Sequence, residues 1–220
     1  MLKAVIFDLD GTLTDSDRVH FQIFQALFAK RGITLTPELY KQKISGRQNA
    51  AVMAEFWPEL DDQAAQAFSD QKEALFRDRA GGLLQPVAGL ASFLAQLEQL
   101  GLAAAVVTNA PVENATFMLD ALGLSNRFSP VVIGDELPRA KPDPLPYQTA
   151  LRKLGITANE AIAFEDSVTG IQAAVGAGIV TLGITTTHSA STLVKAGAIR
   201  AVADFQAPYI QSLLPLPSPA

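Results

Sequence analysis

Leu2-Lys3-Ala4-Val5-Ile6-Phe7-Asp8-Leu9-Asp10-Gly11-Thr12 is an apolar, partly β-branched run that stops on two acids and a glycine. Such a run, bounded by turn formers, predicts a buried strand over residues 2–7, with Asp8 where it ends. Working outward, similar short runs recur at residues 103–108, 131–133, 161–165 and 180–183. Helical patterns lie between them. Residues 87–100 place Leu90, Phe93, Leu94 and Leu97 on one face before Gly101, and residues 112–122 place Phe117, Met118, Ala121 and Leu122 before Gly123. Alternation of this kind predicts an α/β protein with a parallel sheet and crossover helices.

One stretch breaks the alternation. Residues 16–82 show only helical patterns, at 19–31, 37–44, 49–57 and 61–79, with Thr36 and Pro37 as N-cap and first helical position. This predicts an all-helical insertion after the first strand, the sheet resuming near Pro86. Residues 209–220, with Pro215, Pro217 and Pro219, read as a loosely docked tail.

A chain of 220 residues that is 49% hydrophobic can bury a substantial interior. Seventeen Lys and Arg against 22 Asp and Glu give a net charge of -5 with no block of like charge, which argues against nucleic-acid and membrane partners. The absence of cysteine excludes disulfides, thiolate metal sites and cysteine nucleophiles. The first apolar run is too short for a signal peptide, and no segment approaches ~18 apolar residues, so the expected location is the cytoplasm.

The chemistry starts at Asp8 and Asp10. Two residues apart on an extended chain, they leave the sheet on one side, so both carboxylates enter one crevice. Gly11 permits a sharp turn, and Thr12 can donate to whatever the acids bind. A second pair, Glu165-Asp166, ends the run at 161–165, and Asp166 or Ser167 could cap the helix opening at Val168. Ligands of open parallel sheets bind beyond the carboxyl ends of the strands, where both pairs would meet. Like charges ~4 Å apart repel by roughly 4 kcal/mol at an effective dielectric of about 20, so the cluster needs protons or a cation. An all-oxygen ligand set favours magnesium. Thr108-Asn109 opens another helix and can face an anion there. Lys141, in Lys141-Pro142-Asp143-Pro144, is a positioned point charge suited to phosphate, with Asp143 and Pro144 as N-cap and first helical position.

Four segments in this order resemble the motifs of the haloacid dehalogenase superfamily, in the branch with a helical cap after the first strand. They are Asp8 to Thr12, Val107-Thr108-Asn109, Lys141-Pro142-Asp143-Pro144, and Phe164-Glu165-Asp166-Ser167 followed by Gly170. Within the superfamily the chain is similar to the β-phosphoglucomutase-like and sugar-phosphate phosphatase group. The resemblance implies a Rossmann-like doubly wound parallel core at residues 1–15 and 83–208, with the all-α cap domain at 16–82. It implies that Asp8 is the nucleophile, and that Asp10 is general acid and then general base. Mg2+ would be held by Asp8, the Asp10 carbonyl and Asp166, with Glu165 a ligand directly or through water. Thr108, Asn109 and Lys141 would bind phosphoryl oxygens.

Asp10 favours phosphoryl transfer, because the superfamily's dehalogenases replace the second acid. The implied activity is a magnesium-dependent phosphatase acting on a small phosphorylated metabolite such as a sugar phosphate, with a β-phosphoglucomutase-type mutase as the alternative. The mutases carry a cap lysine just before the return to the core. Residues 74–79 here hold none, and the only lysine nearby is Lys72, which favours water as the acceptor. In the cap, His20 on a stripe with Phe24 and Leu27, and Gly46 and Arg47 in a polar loop, are the expected substrate contacts.

Overall fold

Every residue of β1 (Ala4–Phe7) is fully buried, which places this strand at the centre of a sheet covered on both faces. The computed structural model describes residues 1–214. Around β1 lie β2 (Ala103–Thr108), β3 (Val131–Ile133), β4 (Ala161–Glu165), β5 (Val180–Ile184) and β6 (Arg200–Val202), all parallel, in the order β3-β2-β1-β4-β5-β6. This is the doubly wound Rossmann order, and its direction reverses at β1, between β2 and β4.

The helices follow the alternation. After β1 come α1 (Asp17–Ala29), α2 (Pro37–Lys43), α3 (Asn49–Phe56) and α4 (Asp62–Ala80), the inserted cap, and then α5 (Leu90–Gln99). The remainder are α6 (Val112–Ala121), α7 (Leu145–Leu154), α8 (Val168–Gly176), α9 (Ala190–Ala196) and α10 (Pro208–Gln211). The two sheet faces differ in the size of their residues. On one, Phe7 stacks on Phe164 at 5.7 Å and meets Phe93 and Phe205 at 6.1 and 5.9 Å, beneath α5 and α6. On the other, Ile6, Ala105 and Ala163 present small surfaces against which Tyr147, Ala150, Ala173 and Ala174 of α7 and α8 pack. Alanine opposite alanine lets those helices approach the sheet closely, and this brings Tyr147 beneath the strand ends.

The cap has its own aromatic centre. Phe28 on α1 is fully buried, 4.9 Å from Phe56 and 4.5 Å from Trp57, and Trp57 lies 5.0 Å from Phe68 on α4. The two chain crossings beside the cap run next to each other. Val87 N–H donates to the Leu13 carbonyl at 2.9 Å and Thr14 Oγ1 donates to the Gln85 carbonyl at 2.7 Å, so entry and exit are stitched together.

Several expectations need correction. Helix α1 starts at Asp17 rather than residue 19, and Ser16 before it makes no side-chain cap because its hydroxyl is used elsewhere. Helix α7 starts at Leu145, one residue late, though Asp143 Oδ1 still accepts from Leu145 N–H at 2.9 Å. Strand β6 was not expected, being three residues that begin on exposed Arg200. The expected tail begins inside structure: α10 buries Ile210 completely, and Tyr209 lies 4.2 Å under the Arg200 guanidinium. Pro215, Pro217 and Pro219 lie outside the described residues. No described helix is long and apolar enough to cross a membrane.

Trp57 is the sole tryptophan, so its fluorescence reports the cap alone. Phe28→Ala removes a fully buried ring against it, and the expected loss is about 3–5 kcal/mol in urea denaturation followed at Trp57. A loss under about 1 kcal/mol would contradict this packing.

Candidate active site

Asp8 follows β1, Thr108 ends β2, and Glu165 and Asp166 close β4, so three adjacent strands deliver their functional groups to one edge at the point of reversal. They line the floor of a cleft of about 910 Å³ whose roof is the cap. At its centre is Lys141, buried with its ammonium fully engaged. Nζ donates to Asp8 Oδ1 at 2.6 Å, to Glu165 Oε1 at 2.6 Å and to the Val107 carbonyl at 2.7 Å. Three donors meet three acceptors, one from each of the three central strand ends.

Glu165 is fully buried and held on both oxygens. Tyr147 OH donates to Oε1 at 2.7 Å and Ser167 Oγ to Oε2 at 3.2 Å. The first turn of α8 comes so close that a Cβ on Gly170 would stand 1.9 Å from Oε2. Of the two cap residues expected for α8, Ser167 does the work, accepting from Gly170 N–H at 3.0 Å. Asp166 is left to face the cleft beside Asp8. Gly11 makes room for it, since at φ +82° a Cβ there would lie 2.0 Å from Asp166 Oδ2.

Asp8, Glu165 and Asp166 each offer an oxygen within 4.8 Å of the others. Burial raises the Asp8 carboxyl to about 8 and Glu165 adds to the rise, with Lys141 opposing both. Burial likewise raises Asp166, helped by Asp8 and Glu165. Three carboxyls meet one ammonium, and the raised Asp8 and Asp166 mean that the cluster holds protons unless a cation replaces them. An all-oxygen, buried cluster of this kind fits a hard divalent cation.

Asp10 behaves differently. Against the cost of burial, His20 and then Ser16 and Lys72 hold its carboxyl below the usual range. Ser16 Oγ donates at 2.5 Å and His20 Nε2 lies at 3.1 Å, both on Oδ1, so Oδ2 remains for other chemistry. His20 is stacked on Phe76 at 4.1 Å, which fixes its ring beneath the cap.

The remaining expected residues divide. Thr108 Oγ1 accepts from Ala110 N–H at 2.9 Å, which leaves its own proton to donate into the cleft. Asn109 is turned to the Lys141 backbone: its Oδ1 accepts from Lys141 N–H and its Nδ2 donates to the Lys141 carbonyl, each at 3.2 Å. Gly46 reaches the core through its carbonyl, which accepts from Thr169 Oγ1 at 3.1 Å. Arg47 borders the cleft but donates to the Lys43 carbonyl at 2.7 Å and to Glu55, both within the cap.

Lys72 alters the sequence argument. Although the 74–79 stretch lacks lysine, Lys72 on α4 is buried in the cleft wall between Phe24 and Phe76, near enough for its charge to act on Asp10. Sequence reading missed Lys72, Glu73, Tyr147, Ser16 and Asn114 as site residues. Of these, Lys72 and Glu73 carried a signal, being adjacent charges at positions that the helical pattern of α4 turns inward.

A family model described as haloacid dehalogenase-like hydrolase matches residues 5–184. Validoxylamine A 7'-phosphate phosphatase of Streptomyces hygroscopicus subsp. limoneus is 32% identical over 89% of this chain and 92% of its own length. N-acetylmuramic acid 6-phosphate phosphatase of Pseudomonas aeruginosa is 33% identical over 83% of this chain and 81% of its own. The crystal structure of CbbY from Rhodobacter sphaeroides in complex with phosphate superimposes with a TM-score of 0.83 at 26% identity, covering 94% of this chain and 96% of that one. The chain belongs to the haloacid dehalogenase-like hydrolases.

Proposed function

We propose that this protein is a cytoplasmic, magnesium-dependent phosphatase of a small phosphorylated metabolite, working through an aspartyl-phosphate on Asp8. One observation carries the reading above all: Lys141 fixes Asp8 at the reversal point of the sheet while Asp10, two residues on, is held separately by His20 and Ser16. Two carboxylates in different environments suit two roles. Asp8 Oδ1 is held by the ammonium, and its other oxygen attacks phosphorus in line. Asp10 is ionised as it stands, so it takes up a proton brought by the incoming phosphate monoanion, gives it from Oδ2 to the departing oxygen, and then takes one from the water that attacks the phosphoryl group and frees Asp8. A cation beside Asp8 would keep its raised carboxyl in the anionic form that attacks. Lys141 and the Thr108 hydroxyl face the charge that develops on the transferring oxygens, while Asn109 positions Lys141 through its backbone.

Asp8, Asp166 and the Asp10 carbonyl would hold Mg2+. Glu165, already spent on Lys141 and Tyr147, acts on it through those partners or through water. Such an ion would take the place of the protons on the raised carboxyls and supply Lewis-acid polarisation of a phosphate oxygen. Residues 16–82 act as the cap over residues 1–15 and 83–208, turning on the paired crossings at Thr14 and Pro86 and excluding water when closed.

A second reading, transfer to a sugar hydroxyl as in a phosphomutase, is favoured by Lys72, which the structure places in the cleft wall. Incubation with β-glucose 1-phosphate and a trace of the bisphosphate separates the two. Release of inorganic phosphate is expected, and conversion to glucose 6-phosphate would overturn the phosphatase reading.

Hydrolysis of an aryl phosphate should require Mg2+, stop on chelation, and fall by about three orders of magnitude or more in Asp8→Asn. Retained turnover in that variant would refute the nucleophile. In thermal denaturation, Mg2+ at about 100 times its dissociation constant should stabilise the wild type by about 2.7 kcal/mol. Asp166→Asn should lose that gain, yet without metal be at least as stable as the wild type, because one buried like charge is gone.

A further inference from the structure

The run Thr185-Thr186-Thr187-His188 follows β5 and leads into α9, and nothing in the proposed chemistry uses it. Each of its residues has a partner. Thr185 N–H donates to the Val202 carbonyl at 2.9 Å, so the short strand β6 anchors the run at its start. Thr186 Oγ1 donates to the Gly11 carbonyl. Thr187 is buried and borders the cleft, and its hydroxyl shares with Asp166 the space above Gly11. A Cβ on that glycine would stand 2.9 Å from Thr187 Oγ1 and 2.0 Å from Asp166 Oδ2. His188 Nδ1 lies 3.1 Å from the Asp166 carbonyl, and because a carbonyl only accepts, Nδ1 carries the proton.

Helix capping does not explain this arrangement. The start of α9 is served by Ser189, whose Oγ accepts from Thr192 N–H at 3.2 Å. The contacts converge instead on groups that would hold Mg2+. Asp166 is gripped at its backbone by His188 and at its carboxylate by Thr187. Burial, Asp8 and Glu165 raise the Asp166 carboxyl, and the hydrogen bond from Thr187 opposes them, favouring the charged form that a cation needs. The Asp10 carbonyl belongs to the peptide joining it to Gly11, whose N–H donates to the Thr14 carbonyl at 2.7 Å. Thr186 ties the carbonyl of the same glycine. With both ends of Gly11 held, the Asp10 carbonyl keeps one direction.

We propose that Thr186, Thr187 and His188 are positioning residues for the cation, holding the Asp166 carboxylate and the Asp10 carbonyl in place before it arrives. The proposal rests on the magnesium reading and deepens it, because it sets the affinity of the site partly outside the groups that touch the ion. Ligands already held need no ordering when the ion binds, and losing such a hold typically costs about 10- to 100-fold in metal affinity.

The test is isothermal titration calorimetry of the metal-free protein with MgCl2, alongside thermal denaturation with and without Mg2+. Thr187→Val keeps the shape and loses the hydroxyl, and the Mg2+ dissociation constant is expected to rise by about tenfold or more. Thr187→Ser keeps the hydroxyl and should stay within about threefold of the wild type. His188→Phe should weaken binding as Thr187→Val does, and His188→Asn, whose amide can donate from near the Nδ1 position, should recover most of the loss. Thr186→Val, which frees the Gly11 carbonyl, should weaken binding by several-fold.

A role confined to stability would lower the denaturation temperature of the metal-free variants and leave the Mg2+ dissociation constant of the folded protein unchanged, and that result overturns the proposal. So does a Thr187→Ser protein as weakened as Thr187→Val. Should Thr187→Val or His188→Phe not fold, the other decides, and should neither fold, Thr186→Val does. Absence of both a binding heat and a thermal stabilisation when Mg2+ is added to the wild type overturns the magnesium reading instead, and the proposal with it.

Discussion

One ammonium group organises the floor of the cleft. Lys141 Nζ hydrogen-bonds to Asp8 after β1, Val107 in β2 and Glu165 at the end of β4, and among the described residues no other side chain hydrogen-bonds to all three. A buried lysine is costly unless every proton finds an acceptor, and here the two carboxylates overcome the burial that would otherwise lower its pKa. Its own position is fixed by Asn109 clamping both backbone polar groups and by Tyr147 orienting the carboxylate it grips. The arrangement is deliberately incomplete, because Asp166 is brought to the same place with no cation of its own. Burial and mutual repulsion raise Asp8 and Asp166, so the cluster holds protons unless a cation takes their place.

The sheet makes this crowding feasible. In a parallel sheet whose order reverses at β1, the two neighbours of the central strand come from different halves of the chain, and their loops part to leave a crevice. The large aromatic residues are confined to one face. The small ones on the other let α7 approach until Tyr147 OH reaches Glu165. Two glycines complete the geometry: Gly11 and Gly170 stand where any side chain would occupy the space of the Asp166 and Glu165 carboxylates.

What could be read from the sequence was what sits at ends. Apolar runs stopping on Asp8, Thr108 and Glu165 declared both the strands and the chemistry, because a buried strand has one compositional signature and its terminus has another. Positions on helices that face a cleft have no such mark. Tyr147 and Asn114 follow the same periodicity as their core neighbours, and only the fold shows that the Glu165 carboxylate lies opposite the first and the cleft beside the second. Donor chemistry was legible too, but not its partners within the protein: Asn109 bonds to the Lys141 backbone, and Arg47 to the Lys43 carbonyl and Glu55. β3 is as short as β6, but it reads Val131-Val132-Ile133, whereas β6 reads Arg200-Ala201-Val202 and begins on an exposed charge, so β6 carries no apolar run to read.

Floor and roof of the site follow opposite electrostatic logic. The floor crowds three carboxyl groups around one ammonium. The roof is closed on itself, with Lys72 spent on Glu73, Arg47 on Glu55, and Arg77 linked to Glu73 through Asn114. Burying the Lys72–Glu73 pair costs desolvation that a pair of apolar side chains would avoid, so stability does not account for it. Arg77 has the neutral Asn114 as its partner, so Lys72 and Arg77 together exceed Glu73 by one positive charge, and the roof faces the crowded carboxyls of the floor with the opposite sign.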